Sequence, residues 1–546
     1  MHMKDQMTSL GLLSLVTLLP TTTASAAKGD KMSQEEVRPN ILFIITDQHR
    51  ADVFSFAGNP DVQTPNFDKL AKSGVVFSRA YSQDAVSGPS RTCIFTGLYP
   101  RVTGQMDNAP VDTAPALNAT SMQYALQQSG YRTYGFGKRH LHDAADKGWA
   151  VLKSHSKQES PNDNYVKWIE EQGYAQEFGE DWAAEFGRFP QGNSLENTKY
   201  PNAKMGTRTS KLPNNYTMEA YSARNAIEVL KEHGTGRRKG EPFFLYTSFY
   251  RPHQPYSPLT SYITQHDATK WGEGRNNGSS VKMPETLREP SENLPPFLAN
   301  LRSNRRGIWC LGLAADDEQL YRDYITGYYA LVEEIDHWMG ELYNTLEEQG
   351  LLDNTIIVYT SDHGDFVGNH GMIEKAAAGH NLYEDTLRVP LIFSWNGHIE
   401  ANRTRDDLVG LIDLYPTLLE MTETPLPADA QYRPQGISLA DALLKDKDVG
   451  RKYLVSENWF QATIITATKK LSLWLDPSPM YNGTRDWRNT TNFLFDYTSD
   501  KTETQNLYED HKDSNEVKRL RGYYSDFEKK YPAIGKDEWA IKIKNK

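Results

Sequence analysis

Cysteine is nearly missing from this chain. Two cysteines, Cys93 and Cys310, stand among 546 residues, too few for a disulfide scaffold. Both read as small buried side chains rather than redox groups. Positive charge is also short: 60 Lys and Arg face 71 Asp and Glu, for a net charge of −11. That balance argues against nucleic acid and against an anionic membrane surface as partners. An acidic protein that takes an anionic ligand must gather its cations in one pocket. Long apolar runs are lacking as well. Leu10 to Leu19 is too short to cross a bilayer, and no later segment approaches the roughly 20 apolar residues of a membrane span. No internal repeat is present, which excludes solenoids and propellers.

The short apolar run has a different reading. Lys4 precedes it and Ala24-Ser25-Ala26 follows it, which is the pattern of a secretory signal peptide. Residues 1–26 are expected to be that signal and 27–37 a polar linker. An exported protein follows, periplasmic or secreted. No cysteine follows the apolar run, which argues against a lipid anchor.

Aromatic residues are plentiful, with 30 Tyr and 11 Trp. An aromatic-rich core and a sugar-stacking surface both account for them. Asn40 to Thr46 is a continuous apolar run that ends in Asp47, the signature of a strand buried on both faces. Thr355 to Thr360 runs into Ser361-Asp362-His363-Gly364. Pro242 to Ser248 runs into Arg251-Pro252-His253. Tyr131 to Gly135 runs into Gly137-Lys138-Arg139-His140, and Val389 to Ser394 completes the set. Pro65 to Lys72 reads as a short helix. Leu320, Tyr324, Tyr328, Leu331, Ile335, Met339, Leu342 and Leu346 step by three and four along a long amphipathic helix, which Gly350 ends.

Strands alternating with helices predict an α/β fold, a large mostly parallel sheet sandwiched by helices. Ligands then bind at the carboxyl ends of the strands, where the polar residues just named stand. Residues 150–215 and 257–315 are rich in Asn, Gly, Pro and charge, and are expected to be insertions bordering the pocket. Ile464 to Asp476 and Asn492 to Tyr497 predict a small antiparallel sheet, and Ser514 to Tyr531 a closing helix. The expected division is a catalytic domain over 38–449 and a C-terminal α+β subdomain over 450–546.

Carboxylate and amide oxygens at two strand ends, Asp47-Gln48 and Asp362-His363, suit a hard divalent cation. Singly, an Asp at a strand end is more often a helix cap. Here two such pairs accompany Ser87-Gly88-Pro89-Ser90-Arg91, which continues to Thr96-Gly97. If that run opens a helix, Arg91 lies one turn from Ser87 on the same face.

The Ser-Xaa-Pro-Ser-Arg run resembles the signature of type I sulfatases of the alkaline phosphatase superfamily. Gly137-Lys138-Arg139-His140, Pro252-His253-Gln254-Pro255, Thr64 to Asp68, and Leu382 to Leu391 resemble further family motifs. The resemblance spans roughly residues 38–510. It implies that Ser87 is oxidised to formylglycine (3-oxoalanine), whose hydrate attacks sulfur, and that an anaerobic sulfatase-maturating enzyme is a partner. It implies one divalent metal, calcium first with manganese or magnesium as alternatives, held by Asp47, Gln48, Ser87, Asp362 and His363. Gln48 replaces the commoner Asp, and His363 stands at an Asn/His position. Arg91 is expected to hold the hydrated aldehyde and Lys138 and Lys375 to spread the sulfuryl charge. His253 is the expected acid for the leaving alcohol, and His140 the base that returns the aldehyde. The residues after Lys375 depart from the family spacing, so His380 competes for part of that role as a substrate-binding residue.

The resemblance thus implies an exported sulfatase acting on sulfate monoesters, with a sulfated carbohydrate as the expected substrate. A formylglycine-dependent phosphonate or phosphodiester hydrolase is the alternative. Asp47-Gln48-His49-Arg50 resembles that group, and Asn108 has a substrate-binding counterpart there. A non-catalytic sulfated-glycan binder, with Ser87 unmodified, is the third reading. Arg302, Arg305 and Arg306 are either readers of anionic groups or a solvated basic loop.

Overall fold

The computed structural model describes residues 38–106, 108, 119–141, 143–155, 163–186, 209–263, 281–296, 298–299, 302, 318–375, 382–458, 461–475 and 492–533. The expected signal peptide and linker lie outside the described residues, as do Cys310, Arg305, Arg306 and His380.

In chain order the strands are β1 (Asn40–Asp47), β2 (Val75–Phe77), β3 (Ala80–Tyr81), β4 (Arg132–Gly137), β5 (Val151–Ser154), β6 (Phe243–Pro252), β7 (Thr355–Ser361) and β8 (Arg388–Val389). They continue with β9 (Leu391–Ser394), β10 (Arg403–Arg405), β11 (Val409–Gly410), β12 (Leu454–Glu457), β13 (Gln461–Ile465), β14 (Lys469–Trp474) and β15 (Phe493–Asp496). Eight of them form one sheet in the order β10-β2-β9-β7-β1-β6-β4-β5. Every neighbouring pair is parallel except those made by β9, which runs against β2 and β7.

β1 is buried at every position because both of its faces are apolar. Successive side chains of a strand point to opposite faces. Ile41, Phe43 and Ile45 pack with Phe95, Met122 and Leu418 on one side. Leu42 and Ile44 pack with Phe67, Leu230, Met339 and Leu342 on the other. The long helix forms over Glu318–Glu348, and its predicted stripe from Tyr324 to Leu346 is buried. Gly350 follows it at φ +66°.

Three expectations change. Val389 to Ser394 is two strands rather than one. Pro390 has no N–H to continue a ladder, so Val389 pairs with β3 while Leu391–Ser394 joins the main sheet. The 150–215 stretch is not wholly an insertion. Val151–Ser154 is one of the sheet's two edge strands, and being four residues long and partly exposed hides it from periodicity. Helices Asn164–Glu171 and Ala175–Phe186 follow; the first begins where the Asp163 carboxylate accepts from the Tyr165 and Val166 amides. Ile464 to Asp476 is a hairpin, β13 and β14, within a four-stranded antiparallel sheet ordered β12-β13-β14-β15.

The expected closing helix runs over Asn515–Lys530, capped by Ser514. Its Val517, Leu520 and Phe527 share one core with Ile464 and Leu471, and also with Cys93, Tyr99 and Ile412 of the preceding part of the chain.

Candidate active site

β7, β1, β6 and β4 are consecutive and parallel, so their carboxyl ends meet along one edge. Asp47 closes β1, Asp362 follows β7, His253 follows β6 and Lys138 follows β4. Two glycines of the quoted motifs are there for want of space. Gly137 has φ +89°, and a Cβ on it would lie 1.8 Å from the Ser248 carbonyl oxygen, so only glycine carries β4 past β6 into Lys138. Gly97 has φ +66° and ends the helix Ser87–Thr96, its N–H donating to the Cys93 carbonyl.

Ser87 is the first residue of that wholly buried helix. Its Oγ lies 3.3 Å from Asp47 Oδ2 and 3.0 Å from His363 Nε2. The other imidazole nitrogen of His363, Nδ1, faces the Gly364 carbonyl at 2.9 Å. Nδ1 therefore carries the proton, and the Nε2 lone pair points at Ser87. Burial first, and then the Lys375 charge, hold His363 down at about 4 against its two carboxylate neighbours.

The carboxylates of Asp47 and Asp362 and the imidazole of His363 place one donor atom each within 4.8 Å of one another, all buried. Two hard oxygens and a neutral imidazole fit a divalent ion. Burial alone would raise both carboxyls. For Asp47 the opposing charges of Lys138 and Arg91 win and hold it well below the usual carboxylate range. For Asp362, Arg91 leads the lowering.

Arg91 does not reach for Ser87. Its guanidinium is fully buried and is spent on the metal-site carboxylates and the strand ends. Nε donates to Asp362 Oδ2 at 2.7 Å, and Nη2 lies 3.4 Å from Asp47 Oδ2. Nη1 donates to the Lys138 carbonyl, Tyr246 Oη and Ser248 Oγ at 2.9, 2.9 and 3.0 Å. It braces both acidic residues against the strand ends.

Lys138 pairs with Asp47 and sits 5.0 Å over the Tyr250 ring. Lys375 Nζ donates to Gln48 Oε1 at 2.7 Å. His253 is buried, with Nδ1 3.0 Å from the Gln254 carbonyl. Burial, Lys138 and Lys375 hold it well below the usual imidazole range despite Asp47. His140 is half-buried, and burial followed by the Lys138 and Arg91 charges puts it at about 3. Asn108 is exposed, and its Oδ1 accepts the Gly88 N–H at 2.9 Å. That oxygen ties down the start of the Ser87 helix.

Gln48 stands at φ +68°, a region that costs a non-glycine residue. The backbone holds it there: its N–H donates to Asp362 Oδ1 at 3.1 Å, and its carbonyl accepts from Tyr328 Oη at 2.6 Å. Its side chain meets Asp365 and Tyr256. Sequence reasoning passed over Asp365, Tyr256, Tyr246 and Ser248. The available signal was their position, two or three residues beyond His363 or His253, or within the apolar run of β6. Arg302 is neither solvated nor a reader of ligands: it is buried and donates to the His370 carbonyl and to Ser291 Oγ.

A mostly parallel sheet that gathers buried carboxylates, an imidazole and a helix-initiating serine at its strand ends has the alkaline-phosphatase-like architecture. Solved structures of that type share the fold. A phosphonate monoester hydrolase from Silicibacter pomeroyi matches with a TM-score of 0.70 at 19% identity, covering 91% of this chain and 96% of its own. A structure in complex with D-glucosamine-2-N,6-O-disulfate matches at 0.62 and 24% identity, covering 90% and 98%.

Residues 39–424 match the sulfatase family, and residues 368–530 match the family described as N-sulphoglucosamine sulphohydrolase, C-terminal. An N-acetylglucosamine-6-O-sulfatase of Bacteroides thetaiotaomicron is 30% identical over 438 residues, 76% of this chain and 73% of the relative. The chain belongs to the sulfatase family and is a sulfuric ester hydrolase.

Proposed function

We propose that this protein is an exported sulfatase that removes sulfate from a sulfated carbohydrate, with Ser87 converted to formylglycine as its nucleophile. One observation carries the reading: Ser87 Oγ is within reach of Asp47 and His363, at the point where Lys138, Lys375 and His253 also converge. The amino-sugar sulfatase among the relatives supports the substrate class.

Asp47, Asp362 and His363, with Gln48 and residue 87, would hold a divalent ion, which would supply charge stabilisation and favour ionisation of the nucleophile. The hydrated aldehyde supplies a second hydroxyl on the same carbon, so that sulfate can be expelled after transfer, where a plain serine would be left as a stable ester. The chain's own residues do the rest. Lys138 and Lys375 hold the sulfuryl oxygens, fixed charges that need no reorganisation. Burial first, and then Lys138 and Lys375, keep His253 neutral; the negative charge of an incoming sulfate offsets the two lysines, so that His253 takes up a proton with the substrate. Its Nε2 then protonates the leaving sugar oxygen. His140, neutral at pH 7, takes the proton from the second hydroxyl. Arg91 and Asn108 keep the acidic pair and the start of the helix in place.

Mass spectrometry of the Ser87 peptide from native material tests the nucleophile. Loss of two hydrogens supports it, and an unmodified peptide supports the non-catalytic glycan binder. Export and anaerobic maturation predict a mature chain starting near Ala27 and conversion only with a radical maturase present. Desulfation of defined sulfated N-acetylglucosamine-containing oligosaccharides tests the substrate.

Gln48 and the likeness to phosphonate monoester hydrolases favour a second reading, hydrolysis of phosphonate monoesters or phosphodiesters. A kinetic comparison of an aryl sulfate with a phenyl phosphonate decides between them. A dominant phosphonate activity sinks the sulfatase assignment.

A further inference from the structure

We propose that Asp365 is a positioning residue that determines which atom of the Gln48 amide faces the metal site. The inference rests on the reading of Gln48 as a metal ligand. An amide presents nearly the same shape after a half-turn about its last bond, but one orientation offers an oxygen and the other an NH2 group. Only the oxygen binds a cation. A carboxylate at position 48 would offer oxygen either way; glutamine has to be told which way to point.

The surroundings give that instruction. Gln48 Nε2 donates to Asp365 Oδ2 at 2.7 Å and to Tyr256 Oη at 3.1 Å, which uses both of its hydrogens. Gln48 Oε1 is left on the opposite side, 2.7 Å from Lys375 Nζ, a group that can only donate. Of these neighbours Asp365 is the discriminating acceptor, because the Tyr256 hydroxyl can accept or donate and would tolerate either orientation. Asp365 is itself locked. Its Oδ1 accepts from Tyr324 Oη at 2.7 Å and from the Val367 N–H at 2.7 Å, and Tyr256 Oη lies 3.4 Å from Oδ2. All of these groups are buried, so water does not compete for the amide. Outer partners of this kind orient metal ligands and tune affinity.

The chemistry predicts what Asp365→Asn does. Tyr324 and Val367 both donate, so they keep the oxygen of the new amide on their side and turn its NH2 toward Gln48. The Gln48 amide then meets a donor at position 365 on one side and the Lys375 donor on the other, so neither orientation is satisfied and its oxygen is no longer held toward the metal. In the D365N/Q48E double variant the polarity is reversed and matched: the carboxylate introduced at position 48 accepts from the amide introduced at position 365 and offers its other oxygen to the metal.

Calcium chloride titrated calorimetrically into the chelator-treated full chain reads this without relying on turnover, with melting curves in chelator as a control on folding. D365N is expected to weaken calcium binding about 10- to 100-fold, and D365N/Q48E to recover most of that loss. A merely structural role for Asp365 would not be rescued from position 48. Wild-type affinity in D365N, or a loss that Q48E fails to recover, overturns the proposal while Gln48 remains a ligand if Q48A weakens binding. Unchanged calcium affinity in Q48A removes the ligand reading itself, and the proposal with it. Should D365N alone fail to fold, Q48E is compared with D365N/Q48E. Q48E sets two carboxylates against each other and must bind calcium more weakly than the pair; equal or tighter binding overturns the proposal.

Discussion

At the scale of single residues, the buried cations and imidazoles have separable jobs. As the proposed acid, His253 should matter most where the leaving group is a poor one. His253→Ala is expected to lower kcat on a sugar sulfate by about 10²- to 10⁴-fold, with a much smaller loss on 4-nitrophenyl sulfate, whose phenolate leaves unaided. Equal losses on both substrates would show that His253 is not the acid. Arg91 has a structural task. It is fully buried against Asp47 and Asp362, and removing one member of a buried ion pair costs about 3–5 kcal/mol. Arg91→Met should lower stability by that order in chelator, measured by denaturant unfolding. Added calcium should restore part of the loss, because the ion supplies the missing positive charge. The residues themselves were legible in sequence, since each sits in a short motif. Their partners were not. Arg91 lies four positions from Ser87, which pointed to the aldehyde, yet its fork meets Asp362, 271 residues away. Asn108 was named only through its counterpart in the phosphonate hydrolases, and its Oδ1 accepts the Gly88 N–H.

At the scale of elements, the loop after β7 is fastened by a buried histidine. His370 Nδ1 lies 2.5 Å from Glu289 Oε2, and Nε2 lies 3.5 Å from Asp385 Oδ2. Its ring packs on Tyr383 and Phe366, and its carbonyl accepts from Arg302. Burial opposes the charge, but the bonds to Asp385 and Glu289 outweigh it and raise the imidazole to about 9. A pKa above the unfolded value near 6.5 stabilises the fold fully below that pH, and the contribution fades as pH rises through 9. Melting temperature should therefore fall between pH 7 and pH 10 by the equivalent of about 3 kcal/mol from this group. His370→Gln should flatten that part of the profile, and an unchanged slope would remove the imidazole as its cause. Periodicity revealed β1, β7 and the long helix because their faces are strongly patterned. It missed β5, a four-residue edge strand, and merged β8 with β9 because a single proline separates them.

At the scale of the whole molecule, the C-terminal sheet and helix are built onto the catalytic part rather than beside it. Cys93 and Tyr99, from the helix of the signature run and the turn after it, pack with Ile464, Val517 and Phe527. Buried Lys470 lies 3.1 Å from Glu384 and also pairs with Glu503. Arg101 meets Glu457 at 2.9 Å. A chain cut after residue 449 would expose that shared core and leave Glu384 without its buried lysine. It should be insoluble or lack a cooperative transition, while the full chain melts in one step by calorimetry. A soluble, active truncated chain would refute this. The order of residues by itself determined the class of fold and which strand ends carry Asp47, Lys138, His253 and Asp362. Apolar runs that end in Asp, His or Lys are local patterns, and a parallel sheet brings such ends to one edge whatever the intervening chain. Only the tertiary structure decided who holds whom: Arg91 on the two carboxylates, Asp365 on the Gln48 amide, β9 reversed against its neighbours. Those contacts join positions well separated in the chain, 317 residues for Asp365 and Gln48, where hydrogen-bond direction and burial, rather than spacing along the chain, select the partner.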